Sequence, residues 1–263
     1  MQIAGSTVLL TGATGGLGGG IARALHRRGA KLILSGRRVE LLDALASELG
    51  ASALSADLSS REQAERLAAQ AGAVDILIAN AALPGAARLE RLTMEEVDRV
   101  LDVNLRAPIA LTHALLPGML ARGRGHIVFI SSAGGKAAAP GNPLYHATKF
   151  GLRGFAGALR IDLHGSGVGV SCVLPGFIRD AGLFAESGAK LPFGVGTRTP
   201  GDVATAVLRV IEHDRAEAEV TSPFLRAGAL LWALAPDFAS AVARRLGSEE
   251  IARTYEQALQ DKR

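Results

Sequence analysis

The chain is poor in the features that would tie it to export, a bilayer or a nucleic acid. Among 263 residues there is one cysteine, Cys172. A lone thiol excludes an internal disulfide, fits a reducing compartment, and in an apolar strand usually serves as plain core. A cytoplasmic location is the expectation. Residues 1–5 have no basic start, and the apolar run after them breaks at Thr11-Gly12, too early for a signal peptide. No stretch reaches the roughly 20 apolar residues that a membrane span needs. Charge of one sign is scarce too: 29 Lys and Arg face 25 Asp and Glu, a net +4, with the arginines scattered among acids. Lacking a basic block or an aromatic-interleaved patch, the chain is not expected to bind nucleic acid. No metal site is expected either. What is abundant is apolar matter, 48% of residues, enough for one large domain with a sizeable core.

Strands and helices alternate along that core. A β-branched and apolar run at 7–10 leads into the loop Thr11-Gly12-Ala13-Thr14-Gly15-Gly16-Leu17-Gly18, and a helical period follows through Ile21, Ala24 and Leu25. The unit repeats: strand 32–34, helix 38–49 closed by Gly50, strand 51–56 ending at Asp57, then a helix capped by Ser59 and a strand at 74–79. Thr93 with Glu96 forms a capping box whose helix bends or breaks at Pro108 on its way to Leu116. Strand 127–130, helix 144–164 and strand 168–174 complete the pattern, with a further helix at 200–213 and a short strand near Val220. Alternation without hairpin signals predicts an α/β domain with a doubly wound parallel sheet, a Rossmann fold, over residues 1–222. Residues 223–263 form a C-terminal helical extension. Ligands of such sheets lie beyond the carboxyl ends of the strands, where every small or polar cluster of this chain falls.

Tyr145 and Lys149 stand four apart on the 144–164 helix and share a face. A neighbouring ammonium favours the phenolate, so the pair can form a tuned acid/base. A solvated helix face is the plain alternative. Ser132 could likewise only cap a turn, Asn104 could only bridge a kink before Pro108, and the glycine loop could be a simple turn. At the end of the second strand, Leu34-Ser35-Gly36-Arg37-Arg38 has no carboxylate for a ribose 2′-hydroxyl, whereas Arg37 suits a 2′-phosphate. NADP(H) is therefore favoured. NAD(H) is the alternative if Arg37 and Arg38 are merely exposed charges at a helix start.

Thr11, Gly12, Gly16 and Gly18 give Thr-Gly-x-x-x-Gly-x-Gly. Asp57 ends the third strand, Asn80-Ala81-Ala82 the fourth, and Asn104, Ser132, Tyr145, Lys149 and Pro175-Gly176 follow in order. In these motifs, over roughly residues 5 to 222, the chain resembles the short-chain dehydrogenase/reductase family. The resemblance implies a homodimer or homotetramer built on the long helices. It implies a catalytic tetrad of Asn104, Ser132, Tyr145 and Lys149, with Asn104 holding a water that relays protons to Lys149. It also implies a cofactor held by Thr11, Gly12, Thr14, Gly16, Leu17, Gly18, Ser35, Arg37, Arg38, Asp57, Leu58, Asn80, Ala81, Tyr145, Lys149, Pro175, Gly176 and Ile178. Two departures stand out: Ala79 and Ala82 replace an Asn and a Gly of the family's turn, and Asp180 replaces a Thr that touches the nicotinamide carboxamide.

Physical argument supplies the roles. Hydride transfer to a carbonyl builds negative charge on oxygen, which needs a hydrogen-bond donor and then a proton. Ser132 can supply the first and Tyr145 the second, interconverting an alcohol and a ketone or aldehyde. Residues 177–198 read as a lid whose Phe177, Leu183, Phe184, Leu191 and Phe193 suggest an apolar or acyl-type substrate. The apolar tail at 224–246, with Trp232, is expected to cover the crevice or a subunit interface in preference to lying on a membrane surface. The rival functions are a dinucleotide-binding regulatory or scaffold protein without turnover, and a hydrolase using Ser132, which lacks a Gly-x-Ser-x-Gly elbow.

Overall fold

The computed structural model of the chain describes residues 1–188, 191 and 195–258. Seven parallel strands form one sheet: β1 (Thr7–Thr11), β2 (Lys31–Gly36), β3 (Ser52–Ser55), β4 (Ile76–Ala79), β5 (Gly125–Ile130), β6 (Val168–Pro175) and β7 (Glu217–Val220). Their order is β3-β2-β1-β4-β5-β6-β7. Successive strand residues face opposite sides, so the apolar runs feed two cores. Val8, Leu10, Ile76, Ile78, Val128 and Val173 pack beneath α1 (Gly16–Arg27), α2 (Val39–Leu49) and a helix at Pro200–Glu212. Leu9, Leu77, Ile127, Phe129 and Leu174 pack beneath α3 (Arg61–Ala71), a helix at Ala107–Ala121 and another at Pro143–Asp162. Chain order reverses between β1 and β4, which opens the crevice above their carboxyl ends. Cys172, 1% exposed, is core: burial pushes its thiol up to about 12.

The cap of α3 is Ser60, not Ser59. Ser59 donates its hydroxyl to Asp57 Oδ1 at 2.9 Å, while Ser60 Oγ accepts the Gln63 N–H at 3.2 Å. The capping box at Thr93 and Glu96 is present and opens α4 (Met94–Leu101). The helix break comes before Pro108. A π turn spans Asp102–Arg106, and α5 (Ala107–Ala121) takes Pro108 in its first turn. Proline has no N–H for the Asn104 carbonyl four residues back, so the α-helical ladder fails there and the backbone widens.

After α6 (Pro143–Asp162) and β6 the chain forms a short helix, α7 (Gly182–Ser187), and then α8 (Pro200–Glu212). Phe193 and the Leu183 side chain of the expected lid lie outside the described residues. Three helices follow, α9 (Pro223–Leu234), α10 (Pro236–Arg245) and α11 (Ser248–Ala258). The first two carry proline in their first turn, where a missing N–H costs nothing. Trp232 of α9 packs on Phe150 of α6, ring centroids 5.6 Å apart. No α9 residue is buried, and Leu230 and Leu234 are 63% and 77% exposed. Among the described residues no helix is long and apolar enough to cross a membrane.

Candidate active site

The glycine loop is built by contacts that only glycine permits. Gly12 has φ +64°, and a Cβ there would stand 2.8 Å from the Ala81 Cα. At Gly18 a Cβ would stand 2.1 Å from the Gly12 carbonyl oxygen. Thr11 Oγ1 accepts the backbone N–H groups of Asn80 at 3.1 Å and Ala81 at 3.2 Å. Asn80 Nδ2 in turn donates to the carbonyls of Thr11 and Gly12, at 3.0 and 3.1 Å. Thr11 and Asn80 thus lash the end of β4 to the loop, holding it from behind. The loop feeds α1, whose N-terminus has no side-chain cap and no acid in its first turn. Uncapped helix amides with glycine around them fit a pyrophosphate. Thr14 and Leu17 flank this cradle: the Thr14 side chain abuts Gly36, and Leu17 lies near Gly182 at the start of α7.

Ser132, Tyr145 and Lys149 meet beyond the end of β5, while Asn104 lies against Leu83, past the end of β4, and Thr148 of α6. Ser132 leaves β5 in an extended conformation, accepts the Gly134 N–H at 3.0 Å and lies close enough to the Tyr145 phenol to favour its ionised form. Lys149 lies 5.5 Å over the Tyr145 ring and donates to the Ile130 carbonyl at 3.0 Å. Burial depresses its ammonium to about 8. The phenol departs from the sequence expectation: burial raises it above its ordinary 10, against a smaller lowering from Ser132. Desolvation wins because Lys149 sits over the ring face and an ionised phenolate would be buried. Asn104 is fully buried; its Oδ1 accepts the Leu83 N–H at 2.7 Å and its Nδ2 donates to the Leu83 carbonyl at 2.9 Å. Nδ2 also reaches Thr148 Oγ1 at 3.4 Å. The amide is therefore spent on structure, and the Asn104 group that lacks its ordinary helical donor is the carbonyl opposite Pro108.

Ser35 is buried, and its carbonyl accepts the Ala13 N–H at 3.0 Å. Arg38 donates to the Thr14 carbonyl, closing the loop over β2. Arg37 is exposed, with no hydrogen bond or ion pair among the described residues. A Cβ at Gly36 would meet Thr14 Oγ1 at 3.1 Å, so a carboxylate there has little room. Burial pushes the Asp57 carboxyl up, but bonds from Ser59 and the charges of Arg37 and Arg99 outweigh it and hold the group below its ordinary range. Leu58 is buried beside it. Pro175 and Gly176 end β6, the Pro175 carbonyl 3.4 Å from Ser132 Oγ, and Ile178 is 5% exposed and bridged to Arg198. Among the described residues no cluster could hold a metal.

The sequence profile described as short chain dehydrogenase matches residues 6–191. The chain belongs to this family. It is 35% identical over 227 residues to the ketoacyl reductase HetN of Nostoc sp., covering 83% of this chain and 79% of that protein. It is 41% identical over 178 residues to the NADP-dependent 3-hydroxy acid dehydrogenase YdfG of Salmonella typhi, covering 65% of this chain and 72% of that protein. A short-chain dehydrogenase from Sphingobium yanoikuyae, solved in complex with NADPH, superposes with a TM-score of 0.76 and 29% identity over 90% of this chain and 95% of that one. The protein is thus a short-chain NAD(P)-dependent dehydrogenase/reductase, and the end of β2 favours NADP(H). Within this family Asp180 is the departure of note. It takes φ +71° and pairs with Arg179 at 3.5 Å, exposed to solvent.

Two residues near the site carried no sequence signal. Arg99, whose Nε is buried without a partner, acts on Asp57 from α4, a contact made only by folding. His146 directly follows Tyr145, and its partners lie in a loop of small residues.

Proposed function

We propose that this dehydrogenase interconverts an alcohol and a ketone or aldehyde with NADP(H), using Tyr145 as general acid/base. The observation that carries the reading is Lys149 5.5 Å over the Tyr145 ring, with the Ser132 hydroxyl beside the phenol. When bound, the cofactor supplies or accepts the hydride. Its pyrophosphate would rest on the amides of the 12–18 loop and its 2′-phosphate on Arg37. Lys149 would bond the nicotinamide ribose. In the reducing direction, Ser132 donates a hydrogen bond to the carbonyl oxygen and the phenol, kept protonated by burial, passes it a proton. An ammonium near 8 is suited to reload the phenolate at neutral pH. Asn104 would serve through its backbone carbonyl, holding the water that connects Lys149 outward.

Phe177 and Phe184, ring centroids 5.1 Å apart, support an apolar or acyl-type substrate. The ketoacyl and 3-hydroxy acid chemistry in the relatives' names points the same way. We also infer a homo-oligomer built on α5 and α6, since Ile161 of α6 is 76% exposed and a Cβ at Gly154 or Gly157 would meet nothing. The buried reduced Cys172 accords with a cytoplasmic setting.

Loss of NADPH absorbance over a panel of acyl ketones and aldehydes is the test. Tyr145→Phe is expected to lower kcat by about a thousandfold while NADPH still binds. Tight NADPH binding with no turnover on any carbonyl would instead make the protein a cofactor-holding regulator.

A further inference from the structure

The segment between Ser132 and α6 is held at its start by a 3-10 turn over Ala133–Gly135 and by the ion pairs of Lys136, and has little of its own beyond them. It runs Ala133-Gly134-Gly135-Lys136-Ala137-Ala138-Ala139-Pro140-Gly141-Asn142, and Ala137, Ala138 and Ala139 have no polar side chain. His146 reaches into it from α6. Its Nε2 lies 3.1 Å from the Ala139 backbone N–H and its Nδ1 lies 2.7 Å from the Gly134 carbonyl. Those partners fix the tautomer. An amide N–H can only donate, so Nε2 must be the bare nitrogen and the ring proton must sit on Nδ1, where it meets the carbonyl. Gly134 in turn donates its N–H to Ser132 Oγ at 3.0 Å, and a Cβ on Gly134 would stand 3.0 Å from the imidazole. A chain of contacts results: Gly134 bonds Ser132 through its N–H and His146 through its carbonyl, and His146 adjoins Tyr145, whose phenol lies beside Ser132.

We propose that His146 is a positioning residue, a strap whose neutral Nδ1–H form holds the 133–139 loop so that Ser132 stays on the Tyr145 phenol, and whose protonation lets the loop go. The role rests on the oxidoreductase reading above. A second proton would place an N–H on Nε2 facing the Ala139 N–H, two donors with no acceptor. The groups around the ring leave it to burial and the Gly134 carbonyl to set its charge, and burial, the larger, keeps it below its ordinary 6.5. Lys136 in the loop is held by Glu217 and Glu219 of β7, at 3.0 and 2.5 Å. On α6, Lys149 is turned to the Ile130 carbonyl, and Tyr145 presents its ring edge at 6.2 Å. From α11, Ala252 lies against Gly141; Glu249 and Arg253 beside it are exposed, and Glu256 is paired with Arg91. The strap is thus intact above the depressed titration and released below it.

The test compares the full-length protein with His146→Phe, which keeps an aromatic ring without either bond, and His146→Gln, which keeps a donor and an acceptor without a titration. Imidazole nitrogen NMR of the wild type should show the Nδ1–H tautomer, with its charging displaced below 6.5. His146→Phe should lower kcat by about tenfold to a hundredfold, as a displaced catalytic group does, with NADPH affinity by fluorescence unchanged. His146→Gln should recover most of that loss and abolish the fall of kcat on the acid side. An Nε2–H tautomer, a His146→Gln protein as slow as His146→Phe, or one with the wild-type acid limb would overturn the proposal. A wild type that turns over no carbonyl would sink the oxidoreductase reading alone, because the tautomer still decides the strap.

Discussion

Arg37 and Arg38 are neighbours with different work. Arg38 is committed to the Thr14 carbonyl, so its loss should loosen the loop for either cofactor alike. Arg37 makes no hydrogen bond or ion pair among the described residues, its charge acting only on Asp57 nearby, and is the group left to meet a 2′-phosphate. Arg37→Ala is therefore expected to weaken NADPH about tenfold or more, a lost charge-assisted bond, while NADH affinity stays put; titration of both nucleotides checks it. Equal weakening of both would return Arg37 to the standing of an exposed helix-start charge. Gly18 is a steric matter. With a Cβ 2.1 Å from the Gly12 carbonyl oxygen, Gly18→Ala must displace backbone, and overpacking of that kind costs about 1–3 kcal/mol. Thermal denaturation without nucleotide should show that loss, and NADPH should restore less of it than it gives the wild type.

At the scale of elements, the far end of the sheet holds a pH-sensitive pair. His126 of β5 is 1% exposed, with Nε2 2.8 Å from Ser171 Oγ on β6. Ser171 spends its proton on the Arg215 carbonyl at 2.6 Å, so its oxygen accepts from Nε2–H. Burial, opposed mainly by the charge of Asp214, lowers His126 from 6.5 to about 4. An unfolded chain then binds more protons than the folded one between those values. Stability should be full above pH 6.5 and fall as pH drops through 4, by about 3 kcal/mol in all. Urea unfolding from pH 7.5 to 4 reads this. A His126→Gln protein should lose much of that slope; an unchanged slope would place the acid sensitivity elsewhere.

The elements also show what one-dimensional pattern can and cannot say. Glycine stops, the capping box at Thr93 and the strand periods are local properties of backbone and neighbouring side chains, and they stand as read. The choice between Ser59 and Ser60 is local too but is not a matter of period, since Asp57, two residues before Ser59, takes that hydroxyl. The break at 102–106 was displaced for a definite reason: proline acts on the carbonyl four residues before it, which belongs to Asn104.

Over the whole molecule, the C-terminal helices meet the sheet domain at scattered points. Trp232 packs on Phe150, Arg226 donates to the Glu219 carbonyl at 2.6 Å, Leu225 lies near Gly176, Ala252 lies beside Gly141 and Glu256 pairs with Arg91, while α9 buries no residue. None of them belongs to the glycine loop or the end of β2. A chain ending at Ser222 is expected to bind NADPH within a few-fold of the full chain. It should turn over carbonyls more slowly, because α11 no longer backs the loop at Gly141. Nucleotide titration and kcat on the same preparation separate the two effects, and loss of NADPH binding would show that the extension is part of the fold.

The sequence by itself determined the alternation of strands and helices, the glycine loop, the missing carboxylate at Gly36, and the order of Asn104, Ser132, Tyr145 and Lys149. These rest on period, conformational freedom and spacing, which are written along the chain. Only the tertiary structure decided how those groups are charged and held. Tyr145 is raised, not lowered, because desolvation depends on everything packed around it. Thr11 and Asn80 turn their side chains to backbone across the sheet, the Asn104 amide is taken by Leu83, and His146 finds Gly134 and Ala139, seven to twelve residues away in a loop that sequence pattern leaves blank.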